Sequence, residues 1–383
     1  MSLWPFVPLS GAVEVLEWKT NVLRARAGEQ RQRLRERPRR QWHFTHLFDA
    51  DGQSAARAIA RSASAFEIPD WALPIYSGAV AAGSSVSIAV DTSGLGLVAG
   101  KQVCVISSLT DYEVCTIASV SPSALVLSFV SAARSAAKIY RVDSAHAAVE
   151  LGFDRPAGPL QRASIIFEAA AVDCYASTAY AQYRGHDVLP LVPVVGAGRL
   201  DESLAWPRDV FDNGTGLPTT AKKRDLSDEK FTMRWHAFAA SDIAAVRSWI
   251  ASRYGRWLAF WFSSWQRDFV AAADLGASAT VLRVFTPSGA ITLGKSDFDL
   301  EIQAPSTAYC RRVTSVSAGP LVAGSKTLDL TLDSALGTAV SAAAFGRISY
   351  LRCVRFDADR IEILHAAGEG IAVAVPCIEV PVP

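Results

Sequence analysis

The sequence has no excess of either charge: 38 Lys and Arg stand against 37 Asp and Glu, a formal net charge of +1. That balance argues against a protein whose main task is to neutralise phosphates, because such binding is driven by a clustered basic excess. Charge is also scarce, at 20% of residues against 50% apolar. A disordered acidic or basic tail is thereby excluded, and poorly charged surfaces that meet other protein are favoured. Close cysteine pairs are missing. Cys104, Cys115, Cys174, Cys310, Cys353 and Cys377 are scattered without a C-x-x-C spacing, so metal and thiol-redox signatures are absent and folding in a reducing cytoplasm is expected. Residues 1–13 lack the basic flank and long apolar core of a secretion signal. The long charge-free stretch Trp71 to Val90 holds Pro74, Gly78, Gly83 and four serines; it reads as two strands and a turn, and stable membrane insertion is not expected.

Catalytic constellations are lacking too. His43 and His46 lie three apart on an alternating strand, so they face opposite sides and form no simple two-ligand metal site. Gly94, Gly96 and Gly100 before Lys101 have the wrong spacing for a phosphate loop, and Gln102 stands where Ser or Thr would hold magnesium. Asp49 to Gly52 starts like a calcium loop but lacks the final Glu and runs into a helix. No G-x-S-x-G elbow occurs, and no carboxylate pair has neighbours that would push its pKa values apart. The expectation is a non-enzymatic protein without metal or cofactor.

What is present is a repeat. "WPFVPLSGAVEVLEW", Trp4 to Trp18, matches "LPLVPVVGAGRLDESLAW", Leu189 to Trp206, with Pro, Val-Pro and Gly at equal offsets and a closing Trp. Farther on, each half sets an alternating aromatic strand before a helix and a second aromatic strand. The later helix is predicted over Ser241 to Tyr254, with a Ser-Asp cap, Ile243, Val246, Ile250 and Tyr254 on one face, and Gly255 as its stop. The earlier one is predicted over Ser54 to Phe66, with Ile59 and Ala63 on the stripe. Short alternating strands about ten residues apart follow in both halves, the mark of a sandwich or barrel. The predicted fold is mainly β with a few helices (α+β), a tandem duplication of a sheet-plus-helix unit, each followed by or containing a small sandwich- or barrel-like region. The first repeat is 1–182, with lead and arginine-rich segment 1–40, strand-helix-strand 41–76 and β-region 77–170. The second is 183–383, with lead 189–230, strand-helix-strand 231–270 and β-region 271–383.

One dense charge cluster exists: Arg24, Arg26, Arg31, Arg33, Arg35, Arg37, Arg39 and Arg40, with Glu29 and Glu36 interleaved. Guanidinium forks suit phosphate and carboxylate alike. The neutral overall balance, the absence of interleaved stacking aromatics and the lack of a second arginine cluster favour protein over nucleic acid, so no nucleic acid sequence recognition is expected. The stripe "WLAFWFSSWQRDF", Trp257 to Phe269, is apolar on both faces and reads as core or subunit interface, with a glycan-stacking platform as the alternative. Candidate interface residues are Arg31, Arg33, Arg35, Arg37, Arg39, Arg40, Trp18, Trp206, Trp257 and Trp261.

The opening "PLSGAVEVLEWKTNV", the segment "GEQRQRLRERPRR" at Gly28 to Arg40, and the later "FTMRW", helix and "SRYGRWLAFWFSSWQRDF" resemble minor tail proteins of long-tailed (siphovirus-type) bacteriophages, in which Arg253, Gly255, Arg256 and the Phe260-Trp261 pair match a recurring pattern. The motifs cover roughly one third of the chain. This resemblance implies a distal tail or upper baseplate protein of the virion, folded in the bacterial cytoplasm and lying between tail tube and hub or receptor-binding parts. Expected partners are the chain itself, in a ring, together with tail-tube, tape-measure and hub proteins; a receptor- or glycan-binding module of the same tip is the alternative. A trimer of duplicated subunits, pseudo-sixfold, is favoured over a hexamer, because it meets both the sixfold and threefold symmetries that the resemblance implies. Closed rings need head-to-tail contacts between different patches, which the arginines and an acidic face of the next subunit could supply.

Overall fold

The computed structural model describes residues 2–9, 11–24, 28–63, 65–148, 152–157, 160–169, 179–194, 203–206, 208–222, 228–286, 298–305, 307–366 and 370–381. Arg26, Cys174 and part of the second lead, 195–202, lie outside them. The protein is mainly β with two α-helices among the described residues.

In chain order the first half runs β1 (Ser2–Leu3), β2 (Ala12–Glu17), β3 (Thr20–Arg24), β4 (Glu29–Arg33), β5 (Arg39–Phe48), α1 (Ala50–Ser62) and β6 (Ala65–Val80). It continues with β7 (Val86–Ala89), β8 (Gln102–Ile106), β9 (Tyr112–Ser121), β10 (Ala124–Leu127), β11 (Arg134–Ala147), β12 (Gly152–Ala157) and β13 (Leu160–Ala169). The second half runs β14 (Gln182–Tyr183), β15 (His186–Val188), β16 (Ser203–Ala205), β17 (Arg208–Phe211), β18 (Thr219–Lys222), β19 (Asp228–Ala237), α2 (Ala240–Arg253) and β20 (Phe260–Ser263). After it come β21 (Val281–Phe285), β22 (Phe298–Gln303), β23 (Ala308–Ala318), β24 (Thr327–Leu332), β25 (Ile348–Phe356), β26 (Arg360–Ala366) and β27 (Gly370–Glu379).

Local pairings recur between these lists. β1 lies parallel to β6, and β15 lies parallel to β20. Leu9 N–H bonds to Thr45 O, and Val194 N–H bonds to Arg234 O. Leu16 stands opposite Arg40 in the β2–β5 ladder, and Leu204 opposite Glu229 in the β16–β19 ladder. Each half carries a meander of five strands. One follows the ladder path β7–β10–β9–β8–β11 and the other β21–β24–β23–β22–β25.

The chain divides into two compact units. The first comprises Met1–Thr178, Pro193–Leu258 and Phe356–Cys377; the second comprises Ala179–Val192, Ala259–Arg355 and Ile378–Pro383. The division into 1–182 and 183–383 follows the sequence, whereas these units follow contacts. Two segments of the second half fold with the first half because β26 pairs along the whole of β2, from Ala12 opposite His365 to Glu17 opposite Arg360. In the first unit the strands form a path β16–β19–β27–β26–β2–β5–β13–β12. Every ladder on it with a described register is antiparallel. The tight approach of β27 to β19 needs Gly370: its φ is +79°, and a Cβ there would lie 2.0 Å from Ala237 O.

Inward alternation builds the core of this unit. Trp42, Phe44, His46 and Phe48 on β5 are buried with Ala163, Ile165 and Phe167 on β13 and with Trp4, Phe6 and Phe66. Helix α1 begins four residues before the predicted Ser54 and ends before Phe66, which belongs to β6. The cause is the Asp49 side chain, which accepts from Gly52 N–H at 2.7 Å and caps the helix. The segment read as a truncated calcium loop is therefore a helix start. Helix α2 starts at Ala240 with Ala239 at its cap and no side-chain cap bond, so the predicted Ser241-Asp242 cap gives way to residues inside the first turn. Tyr254 (φ +54°) and Gly255 (φ +63°) end it in the left-handed region. In the second unit, Leu282, Val284, Leu300, Ile302, Val313, Leu330 and Leu332 from the meander close on Phe269, Leu275 and Phe345. No helix is long and apolar enough to cross a membrane among the described residues.

Candidate functional site

The first unit buries an ionic network that the sequence reading did not anticipate. Glu14 on β2, Arg40 on β5, Asp70 on β6 and Arg247 on α2 are all essentially inaccessible. Arg40 Nε donates to Glu14 Oε1 at 2.7 Å, and its Nη1 donates to Asp143 on β11. Arg247 Nη2 donates to Glu14 Oε1 and to Asp70 Oδ2, each at 3.0 Å. His365 Nε2 lies 3.1 Å from Glu14 Oε2, and Arg141 Nη2 donates to Asp143 Oδ2 at 3.0 Å. Burial alone pushes the Glu14 carboxyl up, yet Arg247 and Arg40, helped by His365, hold it well below the usual carboxylate range. Asp143 is likewise raised by burial and lowered more by Arg40 and Arg141. Arginines cannot shed their protons here, so the network stays ionised and acts as a tie between α2 and five strands. The cavity beside Asp70, Arg141 and Arg247 is about 20 Å³, too small for an organic substrate.

A second constellation holds the arginine-rich hairpin β3–β4. Asp359 Oδ2 accepts from Thr20 N–H at 2.8 Å, and Asp359 Oδ1 accepts from Arg256 N–H at 3.0 Å. Arg256 Nη2 also donates to Thr20 O at 3.1 Å. Arg31 Nη1 donates to Trp257 O at 2.8 Å, while the Arg33 guanidinium lies 4.4 Å from the Trp257 ring centre and 5.0 Å from that of Tyr254. Burial raises the Asp359 carboxyl, and the backbone N–H groups of Arg256 and Thr20 bring it down further. The space is tight: a Cβ on Gly255 would lie 2.6 Å from Asp359 Oδ1 and 3.1 Å from the Trp18 Cβ. This clasp fastens the hairpin to the chain segment that follows α2.

These positions correct part of the predicted interface. Arg40, Trp18 and Trp261 are buried, the last donating from Nε1 to Tyr183 O at 2.7 Å, and none of them presents a surface to another molecule. Alternation on a two-sided strand had hidden this: a residue pointing away from one core points into another layer. Arg31, Arg33 and Arg35 are half-buried and engaged within their own chain, Arg35 through Nη1 to Glu17 O at 2.7 Å. Trp257 is half-buried under Arg33, and Trp261 lies in β20, all four residues of which are buried, so neither offers an open platform for a sugar ring. Arg37, Arg39 and Trp206 are exposed. Arg247 had a signal in the sequence, an arginine four residues after Ile243 on the apolar face of α2; Glu14, on an ordinary alternating strand, had none.

Other sites offer little chemistry. His46 accepts from Trp4 Nε1 at 3.2 Å, its Nδ1 is 3.3 Å from Val7 O, and burial, slightly opposed by that carbonyl, lowers it to about 4. A cleft of about 560 Å³ is lined by Val7, Trp71, Ile106, Leu109, Lys138 and Tyr140 among others, with no carboxylate, imidazole or thiol. Burial, with Cys104 and Asp70 nearby, pushes the Tyr140 phenol up to about 12, so it is no base at neutral pH. No group of three or more His, Cys, Asp or Glu residues placed to hold a metal occurs among the described residues. The chain matches no protein-family model and no curated protein sequence.

Proposed function

We propose that this chain is a non-enzymatic structural component of a bacteriophage tail tip or baseplate, a tandemly duplicated subunit that assembles as a ring between the tail tube and the hub or receptor-binding proteins of the virion. The observation that carries the reading is the recurrence of local pairings in the two halves, down to Leu16 opposite Arg40 and Leu204 opposite Glu229. Two similar four-stranded groups, β2–β5–β13–β12 and β16–β19–β27–β26, then lie in one sheet path and supply two quasi-equivalent ring segments per chain. A trimer of such chains is pseudo-sixfold and fits both a sixfold tube and a threefold hub. The tail assignment itself rests on the motif resemblance, whose residues Gly255 and Arg256 build the clasp on Asp359.

Native mass spectrometry and negative-stain imaging of the purified chain at about 100 μM test the ring. A closed oligomer, with three copies expected, supports the reading, and a clean monomer defeats it. Immunogold labelling of intact particles tests the location: label anywhere except the tail tip removes the tail assignment.

A further inference from the structure

Among the described residues the sheet path of the first unit ends on two open edges. Among the described residues β16 has its ladder with β19, and β12 has its ladder with β13. Inside the path, the strand that occupies the place of β16 in the other group is β2, and β2 has a second partner, β26. The strand in the place of β26 is β12: each begins an antiparallel hairpin, β12–β13 or β26–β27. The chain thus satisfies one such junction internally and leaves one half of the same junction at each end.

Side-chain exposure marks the difference. Leu16 is 0% exposed and Leu204 55%; Trp18 is 1% exposed and Trp206 69%. Val210 and Phe211 on β17, and Leu217 in the turn to β18, are also exposed. Leu16 and Trp18 of the first half sit under β26 and the clasp, where Trp18 N–H donates to Asp359 O at 2.8 Å. A leucine and a tryptophan left in water beside an unpaired strand edge form a surface that asks for a strand partner.

We propose that β16 of one copy pairs antiparallel with β12 of the next copy, repeating between chains the β2–β26 ladder made within each chain. This rests on the duplication and ring reading above and gives that ring its contact. The register follows from shared anchors. Ala148 N–H donates to Ile166 O on β13, and Asp357 N–H donates to Pro376 O on β27, so Ile166 corresponds to Pro376. Phe153 opposite Ala163 then corresponds to Ile363 opposite Val373, and Gly152 to Glu362. Glu362 pairs with Val15, whose counterpart one step before Leu204 is Ser203. Ser203 of one copy therefore faces Gly152 of its neighbour. Trp206 is carried onto the segment after α1, as Trp18 is carried onto the segment after α2. Each copy has one edge of each kind, so the contact is head-to-tail and propagates until it closes. Three copies would close a barrel of roughly two dozen strands, wider than the 16 to 18 strands that already leave an aqueous channel.

The test is disulfide trapping in the full chain carrying Ser203→Cys and Gly152→Cys together. Opposed strand positions have Cα atoms about 4.5–5.5 Å apart, within disulfide reach. On oxidation the double variant should run as a ladder ending in a closed species, and peptide mapping should find the 203–152 link between chains. A mixture of the two single variants should stop at dimers. The mismatched pair Ser203→Cys with Asp154→Cys should cross-link at least tenfold less. Trp206→Ala, which touches no buried position, should abolish the oligomer while leaving the dilute chain's melting curve unchanged. A ring that forms without the 203–152 link overturns the edge pairing and leaves the ring reading standing. A monomer under all conditions overturns both.

Discussion

Strands β2 and β16 follow similar leads, pair with similar partners and end in the same Leu-x-Trp step, yet one is sealed and the other open. Around β2 the chain supplies a second ladder from β26, an arginine from α2 and a clasped hairpin. Around β16 only β19 is paired among the described residues, and all three residues of the strand are exposed. Burial here follows the presence of a covering strand, β26 over β2, and hardly residue type.

The comparison can be broken most forcefully at its tryptophans. Trp18→Ala should cost about 3–5 kcal/mol in urea unfolding, as for a large buried aromatic, whereas Trp206→Ala should stay within about 0.5 kcal/mol in the dilute chain. Equal costs would mean that the two positions are not alternatives of one design. Next come the arginines of the helices. Arg247→Met takes a buried charge partner from both Glu14 and Asp70 and should cost about 3–4 kcal/mol, while Arg57→Met, at the matching position of α1 but exposed with its guanidinium over the Phe153 ring, should cost less than about 1 kcal/mol. Thermal unfolding of both variants decides it, and similar losses would show that the network is not what ties α2 down.

Acid sharpens the contrast further, because His46 has the non-titrating Trp235 as its counterpart. The folded value near 4 lies below the unfolded value of about 6.5, so as pH falls the unfolded chain takes up a proton first. Stability should decline from about pH 6.5 to 4 by up to about 3 kcal/mol, and His46→Gln should flatten that limb. Glu14 and Asp143, whose folded values are depressed, lend stability that is complete above the unfolded carboxylate range of about 4 and is lost at lower pH. A pH profile of urea midpoints with no slope above pH 4.5 would remove the His46 account.

Much of the fold could be read from alternation and turn residues. Strands 102–106, 327–332 and 348–356 fall where short apolar runs with Gly, Ser or Pro nearby place them, and the first and last are buried on both faces. Helix α1 was placed late because its starting signal, Asp49, sits in a stretch that also resembles an ion loop. The arginine cluster misled for a physical reason: guanidinium groups on a hairpin serve their own backbone carbonyls and tryptophan faces as readily as a partner's carboxylates. Partner choice between distant strands, β2 with β26 above all, has no local signature, so the network around Glu14 was beyond reach.

The β2–β26 ladder also sets a timetable. Glu14 precedes by 351 residues in the chain the His365 side chain, on strand β26, against which it rests. Until β26 is made β2 is an unfinished edge, and the arginine from α2 arrives only after some two hundred and thirty residues separate it from Glu14. Contacts this remote in sequence form slowly. A chain that lacks β26 and β27 keeps β2 uncovered and cannot complete the sheet path.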